Sequence, residues 1–332
     1  MDAGEQALFA ASVRQATAGR SGADLDAALD ELGWRDALAA DPRVAVATLF
    51  EQQGAAGATS SALDAVVLGA LGLDPMPGIG VVLPPLGRTD PPGSVAGELL
   101  AVAGLGTAGL VGRDRVVVVA AGGPGGPGDP VDDGDHRCVA AVVDVADLAP
   151  RTVHGIDPLL GLVEVSGGRV PPTSRSDPPP GAWTAAVAAG QRAVAHELVG
   201  AARAMLDLAR QHALERVQFG RPIAGFQAVR HRLAETLVAV EAADAALAAA
   251  WDDGSPFAAG VAKAVAGRSA RTASRHCQQV LAGIGFTTEH PLHRYVRRVL
   301  VLDRLLGDAR TLTRRLGEDL LAARALPSIL PL

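Results

Sequence analysis

From Trp183 to about residue 324 the chain repeats one pattern: apolar side chains at helical spacing, interrupted by short breaks marked with Gly or Pro. Val187, Val194, Leu198, Ala201, Met205 and Leu208 recur along a first helix. Phe226, Val229, Leu233, Leu237 and Val240 recur along a second. The spacing predicts a third helix from about Pro256 to Leu281, a fourth from about Pro291 to Leu306, and a last over roughly 308–324. Residues at these intervals form one stripe on a helix. Long striped helices with short connections bury their stripes against one another, which gives an up-and-down bundle. These stripes read as core, with no cofactor among them.

The front of the chain is also helical, in shorter pieces. Residues 5–17 form one helix, broken by Gly19 to Gly22. Asp24 is a candidate cap for a second helix through Leu25, Leu29 and Leu32. Residues 43–53 and 60–73 read as two more. The middle is different. Two proline-rich stretches, Pro75 to Pro92 and Pro171 to Pro180, read as linkers. Between them Val116–Val119, Val139–Val143 and Leu160–Val165 read as strands, and Gly122 to Asp135 as a loop. The expected division is therefore 1–74 helical, 75–180 a small β domain, and 181–332 a bundle. Gly104 to Gly109 matches a dinucleotide fingerprint by letter, but that mechanism needs a strand before it and a helix after it. A strand is expected to follow, so the match is set aside.

Charge and cysteines exclude several function classes. The net charge is −6 with no basic block, which argues against nucleic acid as a partner. Cys138 and Cys277 are isolated, form no metal pattern and suit a reducing cytoplasm. Met1 to Gln6 has no basic or apolar character of a signal peptide, and no apolar run is long enough for a membrane span. Lys263 is the single lysine among 30 basic residues, a bias that suggests a GC-rich genome.

The chemistry concentrates between the first two bundle helices, in Glu215 to Ile223, followed by Phe226 to Val229 and His231 to Glu235. Arg216 offers a planar fork of donors suited to phosphate. Phe219 can lie against a flat ring, and Gln218 can both donate and accept. Taken alone, the same residues also read as a helix end and a turn. A second stretch, Gln279-Val280-Leu281-Ala282-Gly283-Ile284-Gly285-Phe286 with His290-Pro291 after it, stands at the end of the third helix.

The two stretches resemble the Arg-x-x-Phe-Gly turn and the Gln-x-x-Gly-Gly-x-Gly-Phe loop of the acyl-CoA dehydrogenase family. Leu32-Gly33-Trp34 resembles a third segment of that family. The likeness is strong over 185–320, suggestive over 25–75 and weak between. It implies a mainly α fold with a shortened N-terminal helical domain, a small eroded β domain and a C-terminal four-helix bundle. It implies FAD bound at a subunit interface, contacted by Arg216, Gln218, Phe219, Gln279, Ala282, Gly283 and Gly285. Ala282 stands where the family has glycine, a departure that is tolerable if its φ is negative.

The family removes a proton from Cα and a hydride from Cβ of an acyl thioester, with a carboxylate as base. Carried over by position, that Glu falls on Leu306 and the following Thr on Asp308. Other family members place the base near Gly190, where no acid lies between Asp177 and Glu197. Glu197 reads as packed or paired. The arginine that backs the acyl-CoA site falls on Gln191, with Arg192 beside it. The flavin-covering segments of the family's β domain are not found between Leu83 and Pro172.

The resemblance therefore implies the base-lacking subunit of a heteromeric α2β2 dehydrogenase, of the kind associated with actinobacterial steroid breakdown. A catalytic partner would hold the acyl-CoA and deliver electrons to a transfer acceptor, in the cytoplasm. Two alternatives stay open: a self-sufficient homomeric enzyme using Asp303 or Asp308 as a displaced base, and a purely structural assembly subunit.

Overall fold

The computed structural model describes residues 1–73, 78–122 and 138–324. Asp2 opens α1 (Ala3–Thr17) with a capping box, its carboxylate accepting from Glu5 N while Glu5 accepts from Asp2 N. Gly22, at φ +63°, caps α2 (Ala23–Glu31). Asp24 is thus inside the first turn, where a carboxylate favours the helix dipole without capping it. A helix absent from the sequence reading follows, α3 (Trp34–Ala40), whose Trp34 is buried and donates from Nε1 to Ala45 O at 3.3 Å. Asp41 and Pro42 then start α4 (Pro42–Ala56), and α5 (Ala62–Ala70) completes the front.

The middle holds more strands than its composition indicated. The sheet order is β6-β7-β3-β2-β4-β5-β8, with β1 pairing β4 in parallel. The ranges are β1 Ile79–Val81, β2 Gly93–Ala96, β3 Leu99–Gly106, β4 Arg115–Ala121, β5 Cys138–Asp144, β6 Arg151–Thr152, β7 Val163–Val170 and β8 Ser174–Ser176. Both proline-rich stretches therefore contribute strands, β1 from the first and β8 from the second. Residues 74–77 of that region and 123–137, which include most of the expected Gly122–Asp135 loop, lie outside the described residues. The strand expected over Leu160–Val165 begins only at Val163, because Pro158–Leu160 is a 3-10 turn. A strand does precede the fingerprint-like glycines, since β3 contains Gly104 and Gly106. A five-residue 3-10 turn follows them in place of an α-helix. Along β4 the side chains alternate: Val117 and Val119 join the main helical core, while Val116 and Val118 pack in a second core on the other face.

The bundle comprises α6 (Ala182–Glu215), α7 (Gln227–Asp253), α8 (Pro256–Leu281), α9 (Leu292–Leu302) and α10 (Ala309–Ala323). Helix α4 lies hard against α6, where a β-carbon at Gly54 or Gly200 would clash with the facing backbone. Two details depart from expectation. Leu237 is 48% exposed beside Val238 at 68%, so α7 turns an apolar strip outward. The fourth helix stops at Leu302, because residues 303–308 turn through Leu306 at φ +57° and Gly307 at φ +96°. Among the described residues, no helix is long and apolar enough to cross a membrane.

Candidate functional site

At the C-terminal end of α6 the chain leaves the helix at Arg216 and makes a two-strand hairpin, β9 (Val217–Gln218) with β10 (Arg221–Pro222). Only Phe219 and Gly220 connect the strands, and both have positive φ, +51° and +75°. A two-residue hairpin turn with both φ positive is the I′ type, which Asn-Gly adopts readily and a phenylalanine does not. Phe219 is 92% exposed at the tip. Its ring meets Phe226 edge-on at 6.0 Å, and Arg221 stacks over Phe226 at 4.4 Å. The tip is thus braced from below with its outer surface free. Arg216 and Gln218 are exposed beside it.

Helix α8 ends where Ala282 takes φ +52° and ψ −134°. The negative φ on which the Ala-for-Gly departure depended is not found. Ala282 is in backbone space that glycine occupies without strain and alanine does not. Ala282–Phe286 then form a 3-10 turn. Gln279, Ala282 and Gly283 are exposed. Gly285 is buried, and a β-carbon there would lie 2.9 Å from Leu281 Cβ. Ile284 and Phe286 are 40% and 71% exposed.

Helices α6 and α8 are separated by the antiparallel α7, so they run parallel and their C-termini share one end of the bundle. His212, in the last turn of α6, acts on His290 just beyond the α8 loop. Burial lowers the His290 pKa first, and the neighbouring His212 and His293 lower it further. All seven candidate flavin-contacting residues therefore gather at one end, six exposed and Gly285 beneath them.

The two positions where the family resemblance looks for a base meet elsewhere. The Leu306 side chain is 1% exposed and packs on Gly190 of α6, where a β-carbon would lie 2.5 Å from Leu306 Cδ1. Val67 and Leu63 of α5 close the same space. The Leu306 carbonyl accepts from Gln191 Nε2 at 3.0 Å. The buried Lys263 Nζ donates to the carbonyls of Asp303 at 2.8 Å and Gly307 at 3.0 Å. These bonds hold the turn that carries a leucine in a left-handed conformation, which by itself costs about 1–2 kcal/mol. Burial lowers the Lys263 pKa to about 8, against the attraction of Asp303 and Asp308. The roles of Lys263 and Gln191 escaped the sequence reading. The available signal was one lysine in a chain that otherwise uses arginine.

Neither candidate displaced base has a free carboxylate. Asp303 is 1% exposed; Oδ1 accepts from Ala309 N at 3.2 Å and Oδ2 pairs with Arg271 at 3.1 Å. Asp308 caps α10, accepting from Arg310 N, Thr311 N and Thr311 Oγ1. Burial pushes its pKa up, but the hydrogen bonds from Thr311 and Arg310 and the Arg304 charge outweigh it and hold the carboxyl below the usual range. Glu197 is paired, as the sequence suggested. Its carboxylate accepts from Gln53 Nε2 at 3.1 Å and Arg298 Nη1 at 3.3 Å, and burial still raises its pKa. Arg192 stacks over the Trp251 ring at 4.9 Å.

A helical front, a small sheet and a long-helix bundle, with an exposed Arg-x-x-Phe-Gly hairpin beside a Gly-rich loop, together define the acyl-CoA dehydrogenase fold. The solved Tcur3481–Tcur3483 steroid ACAD superposes with a TM-score of 0.80 at 22% identity, covering 97% of this chain and 99% of that one. The ChsE4–ChsE5 complex from Mycobacterium tuberculosis gives 0.76 at 21% identity, covering 97% of each chain. Residues 184–321 match the acyl-CoA dehydrogenase C-terminal domain. The acyl-CoA dehydrogenase IpdE2 of Mycobacterium tuberculosis is 39% identical over 126 residues, which is 38% of this chain and 40% of that protein. The chain thus matches well under two thirds of this relative's length.

Proposed function

We propose that this chain is the base-lacking subunit of a heteromeric FAD-dependent acyl-CoA dehydrogenase that desaturates a bulky, steroid-derived CoA thioester. The observation that carries the proposal is Leu306 sealed onto Gly190. Both alternative base positions come together in one place, and that place is filled with hydrocarbon. A leucine cannot take a proton, and the two nearest acids are committed to Arg271 and to the α10 cap.

The other half of the reading concerns flavin. The exposed groups at the α6–α8 end fit a flavin nucleotide: a guanidinium fork for phosphate, an amide, and an aromatic ring. Gly190 and Arg216 are 26 residues apart on α6, roughly 39 Å at 1.5 Å per residue. One flavin cannot reach both ends, so Arg216, Gln218, Phe219 and the 279–285 loop serve a cofactor held mainly by another subunit. FAD bound there would accept the hydride from Cβ. The residues of this chain bind and orient it, while a catalytic partner supplies the carboxylate, holds the acyl-CoA and passes electrons to an acceptor.

The outward apolar strip of α7, Leu237 and Val238, supports a bundle-to-bundle contact with that partner. Two of the similar solved structures are a steroid ACAD and a ChsE4–ChsE5 complex, which supports a heteromeric assembly, with α2β2 as the proposed form, and a steroid substrate. A substrate as bulky as a steroid thioester needs room that two complete active sites do not leave. A cytoplasmic setting fits a chain whose two cysteines, Cys138 and Cys277, stand far apart in the sequence.

The test is flavin absorbance per chain, on the protein purified alone and co-expressed with a dehydrogenase subunit encoded beside it. We expect flavin only in the co-purified complex, at fewer than one per chain. One tightly bound flavin per lone chain, with turnover, would overturn the proposal.

A further inference from the structure

One imidazole ties down the far end of the loop that follows α8. His290 Nδ1 accepts from Leu292 N at 3.2 Å, and the His290 carbonyl accepts from His293 Nδ1 at 2.8 Å. A carbonyl only accepts, so His293 carries a proton on Nδ1. A backbone N–H only donates, so the neutral His290 ring is bare at Nδ1 and carries its proton on Nε2. Leu292 is buried and opens α9, where the first N–H groups have no partner within the helix. Pro291 before it makes no side-chain cap. The His290 ring is therefore the acceptor that finishes α9, and through it residues 282–290 are pinned to the bundle. Their other fixed point is Gly285, buried against Leu281.

A second proton on His290 breaks this arrangement. An imidazolium has a donor at each nitrogen and no acceptor, whichever way the ring turns. Nδ1–H would face Leu292 N–H, and a cation would stand at the positive end of the α9 dipole. The surroundings add to the penalty. His212 from the last turn of α6 and His293 from α9 act on the ring, and neither α8 nor any carboxylate among the described residues offsets them. Glu289, the neighbouring acid, is exposed. Burial and then Arg216 lower the His212 pKa, against Glu215, so charge on His290 gathers close to the Arg216 hairpin as well. Burial, His212 and His293 hold the His290 pKa below its ordinary 6.5. A ring released into water regains the ordinary value. The pinned state is thus fully present above pH 6.5 and is lost as pH falls from there through the lower, pinned value.

We propose that His290 is a proton-operated latch on the flavin contacts of this chain. Neutral, it pins residues 282–290 so that the 279–285 loop can meet flavin. Protonated, it releases them and the flavin is lost. The latch regulates the site of the subunit reading above and rests on that reading.

Two measurements test it. The first is amide exchange of the full chain, read on peptides covering residues 283–292 and corrected for the intrinsic effect of pH on exchange. The second is flavin release from the co-purified complex, read as free-flavin fluorescence. Between about pH 7.5 and about pH 5.5 we expect both rates to rise about tenfold or more, while α7 peptides keep their protection. His290→Asn keeps an acceptor near the same point and takes up no proton there, so it should retain flavin at neutral pH and flatten both profiles. His290→Lys supplies a fixed cation and no acceptor, so at neutral pH it should release flavin as fast as wild type does in acid. Exchange that ignores pH, a His290→Asn chain that keeps the wild-type pH profile, or flavin release that does not follow the exchange each overturns the proposal. The flavin content of the complex at neutral pH judges the subunit reading by itself, and the amide exchange of the full chain judges the latch by itself, so the two failures are told apart.

Discussion

At Ala282 the backbone holds φ +52° and ψ −134°, a combination that strains any residue with a β-carbon. Nothing packs on this residue from outside, since Ala282 is exposed. Replacing it with glycine removes the strain and adds some chain entropy to the unfolded state. We expect Ala282→Gly to raise stability by about 1 kcal/mol net, measured as a shift in the urea midpoint at unchanged slope. Lys263 gives a pH signature. Its folded value near 8 is below the ordinary 10.5, because burial disfavours the ammonium more than Asp303 and Asp308 favour it. Between those two values the unfolded chain holds the proton and the folded chain does not. The lysine therefore weakens the fold below pH 8, and that penalty is relieved as pH rises from 8 toward 10.5. Lys263→Met lacks this term and leaves the carbonyls of Asp303 and Gly307 without their donor, at a cost of about 1–3 kcal/mol. Urea titrations should show the wild-type advantage over the variant growing by about 2 kcal/mol between pH 8 and pH 10.

Among the elements, the β9–β10 hairpin separates folding from function most cleanly. A phenylalanine at positive φ on a fully exposed tip is a poor choice for stability and a reasonable one for meeting a flat ring. Phe219→Gly should therefore leave the thermal midpoint of the chain unchanged or raise it, by an amount worth about 1 kcal/mol, while lowering the flavin content of the co-purified complex. A fall in both would mean that the tip is part of the fold. The same scale shows what local sequence could give. Helix α8 is bounded as expected at Pro256 and Leu281, because Ser255 caps it, Pro256 fits its first turn and a glycine-rich loop follows. Strand β3 was not legible. Leu-Leu-Ala-Val-Ala-Gly-Leu-Gly has few β-branched residues, and it becomes a strand by pairing with β2 and β7 on either side. Leu237 looked like core because it falls on the apolar stripe of α7, and periodicity cannot say whether a neighbour in the same chain covers that stripe.

Across the whole molecule, Arg298 of α9 joins parts of the chain that are far apart in sequence. It pairs with Asp157 at 2.6 Å and Glu197 at 3.3 Å, and donates to Ala58 O at 2.6 Å and Thr59 Oγ1 at 3.0 Å. All of these lie in a buried setting, where removing one partner strands the others. We expect Arg298→Met to cost about 3–5 kcal/mol, seen as a large drop in thermal midpoint, against about 0–1 kcal/mol for Arg314→Met, whose partner Glu318 is exposed as well. The sequence by itself determined the bundle and the positions of its long helices, and it singled out the two stretches proposed to contact flavin, because helical periodicity and Gly or Pro breaks are local signals. Counting along the sequence also carried the family's base position onto Leu306. Only the tertiary structure decided that Gly190 and Leu306 are the same place, that Asp303 and Asp308 are spent, and that His212 acts on His290. It also decided that Ala282 is strained. Each of these depends on which distant side chains and carbonyls surround a residue, and no local pattern encodes that.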